Sequence, residues 1–371
     1  MKNKTYKILG LMSGTSMDGL DCCLCDLSID NNYNLNYKII DSKTFPYKPK
    51  TIQIVKDAIK DPSKTNYHSD YLGQEFADIS SVFLKNRTID LVGTHGQTIQ
   101  HIDKIMSKQI GNPNFLLKKL NVPIVYNFRQ NDIESGGNGA PLMPFLDWLI
   151  FKNNQKDTYT LNIGGISNLS KISNHIERNK VIGFDTGPGM SLIDEFVNKI
   201  WGENMDLNGR FSSDGTSIDK LEKQLLTNPF IMKTPPKSTG RDEFGSTIIN
   251  KILKDYNNYS NKDILRTLIS FTAKSIFINL VKFLKFNGKN FNFYINGGGA
   301  HHPILIKDLK NECQIDTLSL LEDIGLNEDN KEALLISVLA LCKFLNIPAN
   351  MPNVTGSKGN IVLGDILFNK D

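Results

Sequence analysis

Short apolar runs bounded by glycine and polar clusters alternate along the chain with stretches whose apolar residues recur every three or four positions, and this alternation predicts an α/β protein. YKILGLMS and LDCCLCDLSI read as strands meeting at a turn in a hairpin-like pair, with NYKIIDSKTF as a third strand. A helical region spans 50–86; IDLVGTHGQTI reads as a buried strand ending in a polar loop, and VPIVYNFRQNDI repeats that design. After GGNGAPLMP the pattern restarts, which sets the expected domain boundary near residue 135: an N-terminal α/β domain over 1–134 and a C-terminal one over 135–371, whose final segment could pack back on the first. TYTLNIGGISNLSKI is two β-rich runs around a glycine pair; KVIGFDTGPGM and a helix over 190–201 follow. A helix over 262–286 is apolar round most of its circumference, as befits burial against a sheet or at a domain junction. FNFYINGGGAHHP is a strand entering a triple-glycine turn, and KEALLISVLALCKFL a late helix with Glu332 in its first turn. The two halves open alike, which suggests a duplicated architecture with a ligand-binding cleft between them.

Composition narrows the class. The 371 residues, 40% hydrophobic and 22% charged, suffice for two domains with their own cores. A net charge of +4 spread along the chain gives no nucleic-acid footprint. The start, MKNKTYKILGLMSG, imitates a secretory signal, but Ser13, Gly14 and Asp18 break the apolar run, so a mature cytoplasmic N-terminus is expected. No uninterrupted apolar stretch approaches the roughly 20 residues of a membrane span, and a soluble protein is expected. Cys22, Cys23, Cys25, Cys313 and Cys342 form no zinc-like spacing and read as buried thiols of a reducing compartment.

Three glycine groups, at 14–19, 164–165 and 297–299, each follow an apolar strand. Gly14 and Gly19 permit close backbone approach, while Thr15 and Ser16 add hydroxyl and amide donors, so such turns could wrap a polyphosphate. Each could equally be a tight turn and nothing more. Neither a P-loop nor a strand-linked G-x-G-x-x-G occurs.

MSGTSMDGLD, GTHGQT, FR-x-x-DI with GG-x-GAPL, LNIGGISNL, GFDTGPG, PPKSTGR, NGGGAH and MPNVTGSKGNIVLGDI occur in an order that resembles the anhydro-N-acetylmuramic acid kinase family over essentially the whole chain. The resemblance implies a two-domain actin-like ATPase fold of the sugar kinase/Hsp70 type, with ATP and sugar in the interdomain cleft. The implied reaction uses ATP, Mg²⁺ and water to open 1,6-anhydro-N-acetylmuramic acid, giving N-acetylmuramic acid 6-phosphate and ADP in cytoplasmic cell-wall recycling. It also suggests a homodimer.

On that resemblance, Gly14, Thr15, Ser16, Met17, Asp18, Gly19, Leu20 and Asp21 form the phosphate-binding hairpin, with Asp18 as the Mg²⁺ candidate directly or through water. Gly164 and Gly165, and Asn296, Gly297, Gly298 and Gly299, border the nucleotide. Asp185 matches the catalytic aspartate: with the γ-phosphoryl group capturing O6, one carboxylate base suffices where an inverting glycosidase uses two carboxyl groups. From local sequence alone Asp185 also reads as the cap of the helix near Met190, and Asp194 as a surface or structural residue. His95, Gln97, Arg129, Asp132 and Glu332 are the sugar-binding candidates, Arg129 as partner of the lactyl carboxylate; an Arg129–Asp132 salt bridge and a helix-dipole role for Glu332 are the alternatives. Met190 and His302 each stand where the family pattern has Asn, LLIS follows Ala333 in place of a more aromatic run, and Glu134 and Ser135 replace small residues. The rival functions are a kinase for another anhydro sugar such as levoglucosan and a non-catalytic sugar- or ATP-binding regulator.

Overall fold

In a computed structural model describing residues 4–14, 17, 19–63 and 65–369, the apolar runs become two sheets of the same internal order. The first contains β1 (Tyr6–Ser13), β2 (Gly19–Ile29), β3 (Leu35–Pro46), β4 (Leu91–Ile102), β5 (Met106–Ile110) and β6 (Ile124–Tyr126). The second contains β7 (Asp157–Ile163), β8 (Ile166–Ile172), β9 (Ile182–Pro188), β10 (Phe291–Asn296) and β11 (Ser319–Leu320). The chain then returns to the first sheet with β12 (Asp365–Leu367), which pairs antiparallel with β6. In each sheet an antiparallel three-strand meander continues through its first strand into parallel neighbours: β3-β2-β1-β4-β6 in one, β9-β8-β7-β10-β11 in the other. The repeat is the duplication the sequence suggested, and it is the actin-like α/β fold.

β2 is apolar on both faces because both faces of its sheet are covered, and Leu20, Cys22, Cys23, Leu24, Cys25 and Leu27 are all buried. On one side lies the helix Glu328–Phe344, and Gly10 of β1 lets it come close: a Cβ there would sit 2.0 Å from Ala333 O. The five cysteines are buried, and none is in a disulfide. In the second unit the helix Asn261–Leu284 is long and apolar enough to cross a membrane by length and composition, yet 72% of its most apolar window is buried in the protein, where it supplies much of the core.

The chain divides into one compact unit of residues 1–150 and 327–371 and another of 151–326, not at 135. Asp132 accounts for the displaced boundary. Its carboxylate accepts the Gly139 N–H (2.8 Å) and the Thr355 hydroxyl (2.8 Å), and Asn138 N–H donates to Thr355 O (2.8 Å), so the glycine-rich segment is tied into the first unit. The helix Met143–Phe151 follows it there, through Phe145 and Trp148 against Tyr33 and a buried ion pair of Asp147 with Lys331. Residues 327–371 therefore belong to the first unit, capped into it at Asn327, whose side chain accepts the Asn330 N–H (2.9 Å). Glu332 consequently lies in the second turn of its helix rather than the first, where the dipole argument for an acidic residue is weaker.

Candidate active site

The hairpin turn is shorter than the motif suggested. Met17 N–H donates to Gly14 O (3.3 Å) with Met17 at φ 59°, and β2 already begins at Gly19. Thr15, Ser16 and Asp18, three of the phosphate candidates and the Mg²⁺ candidate, lie outside the described residues. Gly19, Leu20 and Asp21 are strand residues: a Cβ on Gly19 would lie 2.5 Å from Phe45 O, Leu20 is in the core, and Asp21 accepts the Thr44 hydroxyl (2.6 Å). Gly19 is thus required by strand packing, and Gly14 and Met17 are the described residues left at the turn itself.

THGQT is strand rather than polar loop. β4 runs through it, but between Thr94 and Gln97 it carries one residue more than β1 opposite, a bulge accommodated by Gly96 at φ 74°. The bulge sends the two polar candidates to different tasks. Gln97, fully buried, accepts from the Ser13 hydroxyl and donates to Gly14 O (3.0 Å) and Thr98 O (3.3 Å), so it buttresses the hairpin turn. Asp132, also fully buried, accepts from Gly139 and Thr355, where the salt-bridge alternative had it facing Arg129.

His95 and Arg129 do come together. Nδ1–H of His95 faces Gly96 O (2.8 Å), and Nε2 accepts the Arg129 Nε–H (3.0 Å), which sets the tautomer. Burial, followed by the Arg129 cation, lowers the imidazole to about 3; burial lowers Arg129 to about 10, with Glu332 opposing. A neutral imidazole, a guanidinium and a carboxylate thus share one electrostatic neighbourhood in the first unit. Beside them Thr94, His95, Ser107, Gln109, Tyr126 and Asn127 line a cavity of about 250 Å³. The Thr94 hydroxyl is buried without a hydrogen-bond partner among the described residues. Thr94 lay within a quoted motif; Tyr126 and Asn127 carried no signal of their own.

A pH prediction follows from His95. The unfolded chain takes up a proton near pH 6.5, the folded chain near 3, so the unfolded state binds more protons between those values and stability falls as pH drops through that window. From pH 7 to 5.5 the loss should be about 1 kcal/mol from this group, and His95→Gln should remove that part of the slope. Parallel wild-type and variant urea curves over this range would refute the buried neutral imidazole.

In the second unit Asp185 lies within β9, opposite Asn168 of β8, and not in a loop. Its N–H donates to Lys237 O (3.2 Å), and its Oδ2 accepts the Thr239 N–H (3.0 Å). The N-cap position of the helix Ser191–Trp201 is Met190, five residues past Asp185, and no side chain caps it, so the capping alternative falls away. Met190, where the family pattern has Asn, packs in the second core. His302 does at the start of the helix Pro303–Cys313 what an Asn could do: Nδ1 accepts the Leu305 N–H (3.2 Å), and Nε2 faces Asp206 (3.3 Å). Glu134 is exposed and pairs with Gln130.

The Gly164–Gly165 turn joins β7 to β8 and is stitched to the start of the Ser191–Trp201 helix. Gly164 O accepts the Met190 N–H (2.8 Å), and Gly165 O accepts those of Gly189 (2.9 Å) and Ser191 (3.0 Å). Gly297 and Gly299 are packing glycines, since a Cβ on either would strike Asn162 or Ile163, whereas Gly298 is exposed and a Cβ there would meet nothing within 4 Å. Around these turns the side-chain oxygens Asn162 Oδ1, Asn296 Oδ1, Ser191 Oγ and Asp194 Oδ1 are buried without hydrogen-bond partners among the described residues. Burial raises the Asp194 carboxyl to about 6, with Arg241 and His302 opposing; it is no surface aspartate. Arg241 lies over Gly165, its guanidinium 3.3 Å from where a Cβ would be.

A family model described as anhydro-N-acetylmuramic acid kinase matches residues 6–369. A curated protein of that description from Bacillus cereus (strain AH187) is 32% identical over 381 aligned positions, covering 97% of this chain and 99% of that protein. One from Francisella tularensis subsp. novicida (strain U112) is 33% identical over 377, covering 97% and 98%. Among solved structures, the chain is similar to the activator of the 2-hydroxyisocaproyl-CoA dehydratase from Clostridium difficile with bound ADPNP, at 10% identity and a TM-score of 0.45, covering 92% of this chain and 96% of that one.

Proposed function

Because this chain belongs to the anhydro-N-acetylmuramic acid kinase family and is an ATP-dependent kinase, we propose that it opens the 1,6-anhydro bridge of anhydro-N-acetylmuramic acid with Asp185 as the general base. Water attacks the anomeric carbon and gives its proton to Asp185; the bond from that carbon to O6 breaks; O6 takes the γ-phosphoryl group, and ADP leaves. The products are N-acetylmuramic acid 6-phosphate and ADP, and the setting is cell-wall recycling in the cytoplasm.

The observation that carries the reading is the placement of Asp185 within a rigid strand, with one carboxylate oxygen held by the Thr239 N–H. A base so oriented presents its second oxygen in a defined direction. For the nucleotide, the buried unsatisfied oxygens of Asn162, Ser191 and Asn296 beside Gly164, Gly165 and Gly298 support a ligand that brings hydrogen-bond donors and requires close backbone approach. Gly14 and Met17 at the other glycine turn are the described part of the phosphate hairpin. Mg²⁺ belongs to this proposal. Held largely by phosphates and waters, it asks little of the protein, which fits a chain whose described residues contain no cluster of three or more metal-ligating side chains. When bound, it would neutralise phosphate charge, with Asp18 as its protein ligand.

For the sugar, Arg129 is the proposed partner of the lactyl carboxylate. Its Nε is engaged by His95, which leaves the two terminal NH₂ groups as the bidentate edge, and Glu332 would meet a sugar hydroxyl nearby. The test is purified protein with ATP, Mg²⁺ and each anhydro sugar, followed for ADP and sugar 6-phosphate. Turnover with anhydro-N-acetylmuramic acid should exceed that with levoglucosan in kcat/KM by at least about 10²-fold, since a lost charge-assisted pair is worth a few kcal/mol. A reversed ratio would assign the chain to the rival substrate, and no ADP with either sugar would favour a regulator. A homodimer completes the proposal, and light scattering reads it directly.

A further inference from the structure

The PPKSTGR segment bears on the chemistry through Lys237. This lysine is only 2% exposed, and a lysine is almost never so buried without a partner. Its Nζ donates to Phe230 O (3.0 Å) and Ile231 O (3.2 Å) and lies 4.7, 5.1 and 5.6 Å from the ring centroids of Phe230, Phe283 and Phe184. An apolar side chain would fill such a box at far lower desolvation cost, so packing does not explain a cation there. Position does. Phe184 precedes Asp185, the Lys237 carbonyl accepts the Asp185 N–H, and two residues on the Thr239 N–H holds the Asp185 carboxylate.

We propose that Lys237 is the positioning residue of Asp185: a cation locked between three rings and two carbonyls, which fixes the strap carrying the Thr239 N–H and holds a positive field on the carboxylate. The proposal rests on the reading of Asp185 as the general base. Asp185 from β9 and Glu243 raise the affinity of the ammonium for its proton; Lys233 and Lys282 lower it, and burial, the largest influence, brings it down to about 8. Coupling between two sites is reciprocal, so the charge that Asp185 favours on Lys237 favours the ionised form of Asp185 in turn. Above pH about 8 a neutral amine loses its attraction to the rings and its charge-assisted bonds, and the strap loosens.

The test is the pH profile of kcat. Wild type should lose activity above pH about 8, and Lys237→Arg, which stays charged, should keep it. Lys237→Met should lower kcat about 10-fold with the KM for ATP little changed, and should move the acid limb of kcat upward by about half a unit or more; Lys237→Arg should leave that limb where wild type has it. A Lys237→Met enzyme whose acid limb does not move, whatever its kcat, overturns the proposal, because a merely structural lysine would not shift it. If Lys237→Met does not fold, Lys237→Arg decides: an alkaline limb near 8 that persists in it overturns the proposal too. Asp185→Asn separates the two readings. If that variant keeps wild-type turnover, the base assignment fails. If it is inactive while the Lys237→Met limb stays put, only the positioning role fails.

Discussion

Asp185→Asn should fold, bind both substrates and turn over about 10²–10⁴-fold more slowly, the contribution expected of a general base. The structure explains why the fold survives: an amide oxygen can still accept the Thr239 N–H, and the Asp185 N–H bond to Lys237 O belongs to the main chain. What the amide cannot do is take a proton from water. Bond opening and capture of O6 are coupled, so ADP and sugar phosphate should decline together. In ¹⁸O-labelled water, the wild-type product should carry label at the anomeric hydroxyl and keep its own O6, read rapidly because the anomeric oxygen exchanges. Near-normal turnover in a folded variant, or solvent oxygen at O6, would sink the mechanism.

The largest expected effect on stability is at Lys331. Its Nζ lies 2.6 Å from Asp147 Oδ1, and both side chains are almost wholly buried. Lys331→Met removes the cation from beside a buried carboxylate of the first unit and should cost about 3 kcal/mol or more, the usual result of breaking a buried pair from one side. Lys331→Met combined with Asp147→Leu should recover most of that loss, because no charge then remains to be desolvated. Trp148 reports on this unit and Trp201 on the other, so urea unfolding by fluorescence in a Trp201→Phe background follows the right transition. A single variant that loses under about 1 kcal/mol, or a double variant no better than the single, would show that the pair is not what anchors the helix bearing Glu332.

These residues also mark what could be read in advance. The strands β1 to β3, β7, β8 and β10 were legible because each is a local run ended by a local turn. The boundary near 135 was not, because Asp132 and Thr355 are 223 residues apart and a hydrogen bond across that distance leaves no periodicity. Gln97 and Asp132 stand in motifs beside His95 and Arg129, and sequence does not distinguish a polar side chain that faces a ligand from one folded inward onto main-chain groups. The bulge at Gly96 makes that difference in β4, and a one-residue change of strand register is invisible in composition. Lys237 stands in PPKSTGR with no signal of its own; Phe184 and Phe283, two of the three rings around it, come from distant parts of the chain, and a burial made by such contacts leaves no local pattern.

The division of the chain has a consequence for the order of synthesis. The second unit is one uninterrupted stretch and is complete when the ribosome has made residue 326. The first unit, although it contains the N-terminus, is still unfinished at that moment. It lacks the helix that covers one face of β1, the edge strand β12, the lysine paired with Asp147 and the hydroxyl that donates to one oxygen of Asp132. Domains usually mature in the order they emerge. Here the order is inverted: the half begun first waits, with one face of its sheet uncovered, for residues 327–371 to be made.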